Sequence, residues 1–138
     1  VESNRSIPQA QIIPELAYPD VNAAAEWLVK AFGFSVRLRI ANHRVQMEFG
    51  TGAVVVCDGP AASAEASASH SIMVRVANVD EHYARAVAAG ARVSGEPTTY
   101  PYGERQYAAR DLAGHRWVFS QTVADVHPST WGGELAGG

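Results

Sequence analysis

The chain has one cysteine, Cys57, so it can form no internal disulfide, and a reducing cytoplasm is the expected compartment. Charge is also scarce. Charged residues make up 18% of the chain, with 11 Lys and Arg against 14 Asp and Glu and a net charge of −3. That balance lacks the basic face of a nucleic-acid binder, so no nucleic-acid partner is expected. No apolar run approaches the ~18 residues of a membrane span, so no membrane partner is expected either. The first residues, VESNRSIPQA, are polar and lack the apolar core of a secretory signal. What the chain does have is hydrophobic content, 47% of 138 residues, which suits the packed core of one domain over residues 1–138.

The sequence repeats itself. YPDVNAAAEWLVKAFGF from Tyr18 matches VANVDEHYARAVAAGA from Val76 at an offset of 58, which sets Asp20 on Asn78, Val21 on Val79 and Asn22 on Asp80. Each copy reads as a helix closed by a glycine, Gly33 and then Gly90. Asn22 and Asp80 are the N-cap candidates, since their side-chain oxygens can accept a free backbone N–H of the first turn. Ala25, Leu28, Val29 and Phe32 form an i, i+3, i+4, i+7 stripe, and Tyr83, Ala86, Val87 and Gly90 are their partners in the second copy. On this reading His82 falls on the polar side of the second helix.

Two such helices need a sheet to lie against. Strand candidates precede the helices at Ile12 to Tyr18, where Pro14 makes the start irregular, and at Ser71 to Val76. After the first helix come Phe34 to Ile40, Arg44 to Phe49 and Ala53 to Cys57. After the second come Ala91 to Ser94, Gln106 to Arg110 and His115 to Gln121, the last two joined by the Asp111–Gly114 turn. The expected fold class is therefore α+β: tandem βαβββ modules, one over about residues 10–57 and one over about 70–122. Residues 58–69, rich in Ala, Ser, Gly and Pro, read as a flexible linker, and residues 123–138 as a tail whose Trp131 should dock on its own domain or on a partner.

Within this pattern stand D-V-N-A-A-x-x-W-L from Asp20, A-F-G-F from Ala31, Y-G-E-R-Q-Y from Tyr102, and R-D-L-A-G-H-R-W-V-F from Arg110. They resemble the vicinal oxygen chelate superfamily of glyoxalases, bleomycin-resistance proteins and extradiol dioxygenases over about residues 10 to 122. Leu112 stands where that family's last hairpin usually has proline. The W-L, G-x-R and W-G-G features look nearest to the small bacterial proteins grouped with bleomycin resistance. The resemblance implies a U-shaped mixed sheet around a cavity, a homodimer, and either one divalent metal in the cavity or a metal-free site that sequesters a drug.

In family enzymes the metal ligands are His, Gln or Glu on the first and last strands of each module. The corresponding positions here are Ile13, Ser71, Val118, and Val56 or Cys57. Ile, Ser and Val are not the imidazole, carboxylate or thiolate that divalent metals take, so no cofactor is expected. The weak alternatives are His70, one residue before a ligand slot, and Glu48 on a strand; through them a divalent metal stays open. His43 and His115 lie in turns and His127 in the tail, and Cys57 reads as a small buried hydrophobe.

Strand alternation sends Ile13, Glu15 and Ala17, then Ser71, Met73 and Arg75, and from the last strand Arg116, Val118 and Ser120 toward the cavity, and Met47 joins this set. The offset brings Glu15 and Arg75 within reach of each other, as an ion pair or as a ligand anchor. Tyr102 and Arg105, in the segment from Thr98 to Arg105, form an aromatic lip able to stack on a flat ligand. Trp117 and Phe119 fall on the helix-facing side as core, as does Trp27, which could also serve a dimer surface. The leading expectation is a small-molecule-binding protein holding an aromatic or cationic compound in a metal-free cavity between two subunits. The alternative is a metal-dependent lyase or dioxygenase with displaced ligands; a third reading makes Glu15 a general base and Arg75 an oxyanion stabiliser.

Overall fold

A computed structural model describes residues 2–137. The first four strands, β1 (Glu15–Tyr18), β2 (Ser35–Ile40), β3 (Arg44–Phe49) and β4 (Gly52–Asp58), form one sheet in the order β1-β4-β3-β2, with α1 (Val21–Phe32) between β1 and β2. The second sheet repeats the plan with β5 (Ile72–Arg75), α3 (Val79–Ala88), β6 (Arg92–Val93), β8 (Glu104–Arg110) and β9 (Arg116–Thr122), ordered β5-β9-β8-β6. A two-residue strand, β7 (Thr98–Thr99), also pairs with β8. In both sheets the first strand runs parallel to the last, Glu15 opposite Val55 and Met73 opposite Val118. The architecture is α+β, built from tandem βαβββ units.

Both helices begin two residues earlier than the candidate caps suggested. Asp20 accepts the Ala23 N–H at 3.0 Å and Asn78 accepts that of Glu81 at 3.1 Å. Asn22 and Asp80 sit inside the first turns and turn outward, to Arg39 and Arg105. The offset of 58 holds for either pair, which is why the repeat alone did not separate them. Gly33 closes α1 with φ +83°, a left-handed conformation that costs a residue with a Cβ, and its N–H returns to the end of the helix. The segment expected as a flexible linker carries a short helix, α2 (Ala64–Ser69), capped by Ser63 and tied to the β8–β9 hairpin through the Ala62 N–H and the Ala113 carbonyl. In the tail, the turn Pro128–Trp131 brings Trp131 edge-on to Tyr102, with ring centres 5.5 Å apart.

Helices α1 and α3 share one core with both sheets. Leu16, Tyr18, Val45, Met47, Val54 and Val56 from the first sheet meet Val76, Tyr107, Ala109, Trp117 and Phe119 from the second. Leu28 and Phe32 are the anchors of α1, and Phe32 stacks or tilts against Trp117, Phe119 and His82. Because both sheets turn their helix-bearing faces to this core, their other faces lie on the outside of the chain.

Two polar devices tie the halves together. Asp111, fully buried, accepts from the Tyr18 hydroxyl at 2.6 Å and from the Trp117 indole N–H at 3.0 Å, and also takes the backbone N–H groups of Ala113 and His115. His82, expected on a polar face, is half-buried among Phe32, Tyr107 and Phe119. The α3 face that packs inward runs through Val79, His82, Tyr83 and Ala86, while Val87 of the expected stripe is 45% exposed. The Phe32 carbonyl, 2.9 Å from Nε2, can only accept, so Nε2 donates and Nδ1 accepts from the Tyr107 hydroxyl.

Candidate functional site

The outer face of the second sheet carries a groove of about 440 Å³ whose lining includes Ser71, Met73, Tyr100, Gln106, Arg116 and Val118. Register explains the set. Met73 lies opposite Val118 and Val118 opposite Ala108, so side chains of one parity share the face. Met73 is 64% exposed, a large apolar group left in the open. Along its unpaired edge β5 also borders an apolar cleft of about 460 Å³, lined in part by Ile12, Pro14, Phe49, Ile72, Met73 and Arg75, with Trp117 among the walls.

A hydrogen-bonded chain crosses the same face. The Tyr102 hydroxyl donates to Gln106 Oε1 at 3.3 Å, Gln106 Nε2 donates to Ser120 Oγ at 3.0 Å, and Ser120 donates to Glu104 at 2.7 Å. The hydroxyls of Ser120 and then Thr122 hold the Glu104 carboxyl below its ordinary range, and the charge of Arg75 adds to this. Tyr100 and Tyr102 stack with ring planes 2° apart, a stiff aromatic pair beside the groove.

The outer face of the first sheet is different. Gln46 and Val55, opposite each other in register, are almost fully buried. The N-terminal segment covers them: Gln46 Nε2 donates to the Ser6 carbonyl at 2.8 Å and Arg37 to the Arg5 carbonyl at 2.9 Å. Ser6, Ile7, Glu15, Arg44, Gln46 and Val55 line the pocket of about 340 Å³ that remains. Glu15 is ion-paired with Arg44 of its own sheet, so within one chain it does not reach Arg75. Burial pushes the Cys57 thiol up, against the opposing effect of Arg44.

The residues expected at the site therefore divide. Ser71, Met73, Arg75 and Val118 share the open face, and Tyr102 flanks it. Met47 has no exposure and faces α1 with Val45, an orientation that the alternation of Val45, Met47 and Phe49 already carried. Arg105 shares parity with Tyr107 and Ala109, so it lies on the α3 side, where its guanidinium pairs with Asp80. Val56 is core, and the outward residues of β4 are Val55 and Cys57. Arg116 and Ser120, expected on the cavity side, lie on this face; the residues that sequence reasoning missed are Gln106 and Glu104, whose parity follows across the ladder from Ser120 and Thr122.

The family's divalent metal does not fit the donors present. The open face offers Ser71 and Val118 at the ligand positions, and the other sheet Ile13 and Cys57. Glu48 lies on the outer face of the first sheet near Arg37, at 3.9 Å, and His70 is exposed at the end of α2, with Nδ1 3.0 Å from Ser69 Oγ. Among the described residues, no group of three or more His, Cys, Asp and Glu side chains is placed to hold a metal. No described helix is long and apolar enough to cross a membrane.

Two βαβββ units with mixed sheets, joined back to back through their helices, define the class of tandem-βαβββ α+β proteins. The chain belongs to the Glyoxalase/Bleomycin resistance protein/Dioxygenase superfamily, whose family model matches residues 9–119. It is similar to TioX from Micromonospora sp. ML1, at 37% identity and a TM-score of 0.67 over 80% of this chain and 97% of that one. Two further solved structures share the fold: a glyoxalase/bleomycin resistance protein/dioxygenase from Nocardioides (21% identity, TM-score 0.63, 90% and 87% of the two chains) and lactoylglutathione lyase from Agrobacterium tumefaciens (21%, 0.60, 91% and 98%). Comparison with curated proteins gave no match.

Proposed function

We propose that this chain binds a small aromatic compound on the open face of its second sheet, without a metal, and sequesters it. The observation that carries this reading is the pairing of Met73 with Val118. At the ligand positions of this face stand Ser71 and Val118, which offer no strong metal donor, while Met73 beside them is left 64% exposed next to an aromatic pair. Binding by sequestration needs complementarity and no catalytic group. Arg75 and Arg116 on this face favour an aromatic guest over a cationic one. A role in antibiotic resistance follows if the guest is a drug.

The reading includes a homodimer. One chain leaves the groove open, and β1 and β5 each present an unpaired edge on the flank of their sheet. A second copy would close the groove into a cavity, with the cytoplasm as the compartment. The test is metal content per chain after equilibration with zinc, nickel, manganese and iron, followed by a thermal-shift screen of aromatic antibiotics. Background metal and at least one compound that raises Tm are expected. Near-unit occupancy by one metal, lost in His70→Ala, would replace this reading with a glyoxalase- or dioxygenase-type enzyme.

A further inference from the structure

Three arginines stand in one cross-strand row at the end of the open face: Arg92 on β6 lies opposite Arg110 on β8, which lies opposite Arg116 on β9. Val93, Ala109 and Trp117, their sequence neighbours, face the core, so the three guanidinium stems leave the other side of the sheet together. With strands about 4.8 Å apart, the outer two Cα positions are roughly 10 Å from each other. Like charges directly opposite in a sheet repel. Lys30 is the chain's one lysine and the net charge is −3, so this concentration of cation runs against the composition.

Among the described residues no carboxylate lies within ion-pairing distance of the row. Arg110 makes a single side-chain hydrogen bond, to Ser67 on α2. Arg75, Arg44 and Arg105, by contrast, all have acidic neighbours. The row lines a recess of about 270 Å³ that shares Ser94, Ala108 and Arg116 with the larger groove, whose loop also carries Glu96. Ser71, one residue before Ile72 in its register with Trp117, comes level with Arg116.

We infer that this row is an anion subsite, and that the molecule held on the open face is an elongated aromatic acid. Its carboxylate or phosphate group lies across Arg92, Arg110 and Arg116, and its aromatic end reaches toward Tyr100. The guanidinium fork suits an oxyanion of this kind. From Gln106, beside Tyr100, to Arg110 the strand covers roughly 13 Å, which sets the length of the guest. The inference rests on the binding reading above and specifies its ligand class.

The test compares three isosteric probes by calorimetry: biphenyl-4-carboxylate, the neutral biphenyl-4-methanol and the cationic biphenyl-4-methylamine. The acid is expected to bind at least tenfold tighter than the alcohol, and the amine weakest. In Arg116→Gln the acid should fall to the level of the alcohol while Tm stays unchanged or rises, since a repulsion is relieved. Equal binding of acid and alcohol, or an acid preference that survives in both Arg116→Gln and Arg92→Gln, overturns the subsite and leaves the aromatic reading standing. If no probe binds, inorganic phosphate alone decides. Shifts in the Nε–H resonances of these three arginines on phosphate titration keep the anion subsite without the aromatic reading, and unmoved resonances overturn it.

Discussion

The two sheets have the same plan and opposite outer surfaces. On the first, Val55 of β4 is 7% exposed beneath the arm that carries Arg5 and Ser6; on the second, its counterpart Val118 of β9 is half-buried, and Met73 beside it is 64% exposed. The difference arises in what precedes each unit. An extended arm leads into β1 and folds over its own sheet, with Gln46 and Arg37 holding its carbonyls. The segment that leads into β5 forms α2 instead and is drawn to the β8–β9 hairpin, where Arg110 contacts Ser67. Repetition gave the fold its core, and divergence at the lead-in segments left one face covered and one open.

The largest effect expected is from Asp111→Ala, which breaks the junction that both halves share. It leaves the Tyr18 hydroxyl, the Trp117 indole and two backbone N–H groups without their acceptor, and should cost about 3–5 kcal/mol in urea unfolding. A loss within 1 kcal/mol would mean that the two halves do not depend on this carboxylate.

A matched pair of substitutions tests the two outer faces directly. Val55→Asp places a charge under the arm and should destabilise by about 2–4 kcal/mol, whereas Met73→Asp should stay within about 0.5 kcal/mol and abolish ligand binding. Equal stability losses would show that the second face is covered too.

The smallest effect concerns pH. Burial among Phe32, Tyr107 and Phe119 holds the His82 imidazole below its ordinary value, against the Phe32 carbonyl hydrogen bond. The unfolded chain then binds a proton that the folded chain refuses, so this contribution to stability is complete above the ordinary histidine range and is lost as pH falls through it. Calorimetric Tm should drop by a few degrees between pH 7.5 and 5.5, and His82→Gln should flatten that slope. An unaltered slope would assign it to another group.

Much of the fold was legible because the repeat is written in residues that folding cannot exchange. Gly33 adopts a left-handed turn, the Asp111–Gly114 turn makes the last hairpin, and Trp117 and Phe119 alternate inward. Less of the site was legible. The parity of β8 decides that Gln106 faces the groove while Arg105 goes to Asp80, and that parity depends on Tyr107 entering the core. Aromatic–polar alternation around Tyr107 could have given it, as the Val45-Met47-Phe49 series could have placed Met47 inside. His82 and Asp111 are polar groups used as inter-module acceptors and donors, and no local pattern distinguishes such a group from a solvated one. The N-terminal cover is a contact between segments about 40 residues apart, formed through backbone carbonyls that carry no sequence signature.

Where a guest binds separates the two outer faces most directly. An aromatic compound that raises Tm should be titrated into isotopically labelled protein and its backbone amide shifts mapped. Perturbations concentrated in residues 71–75, 92–100, 106–110 and 116–120 are the predicted result. Shifts confined to the first sheet and its arm, with the second sheet silent, would contradict it.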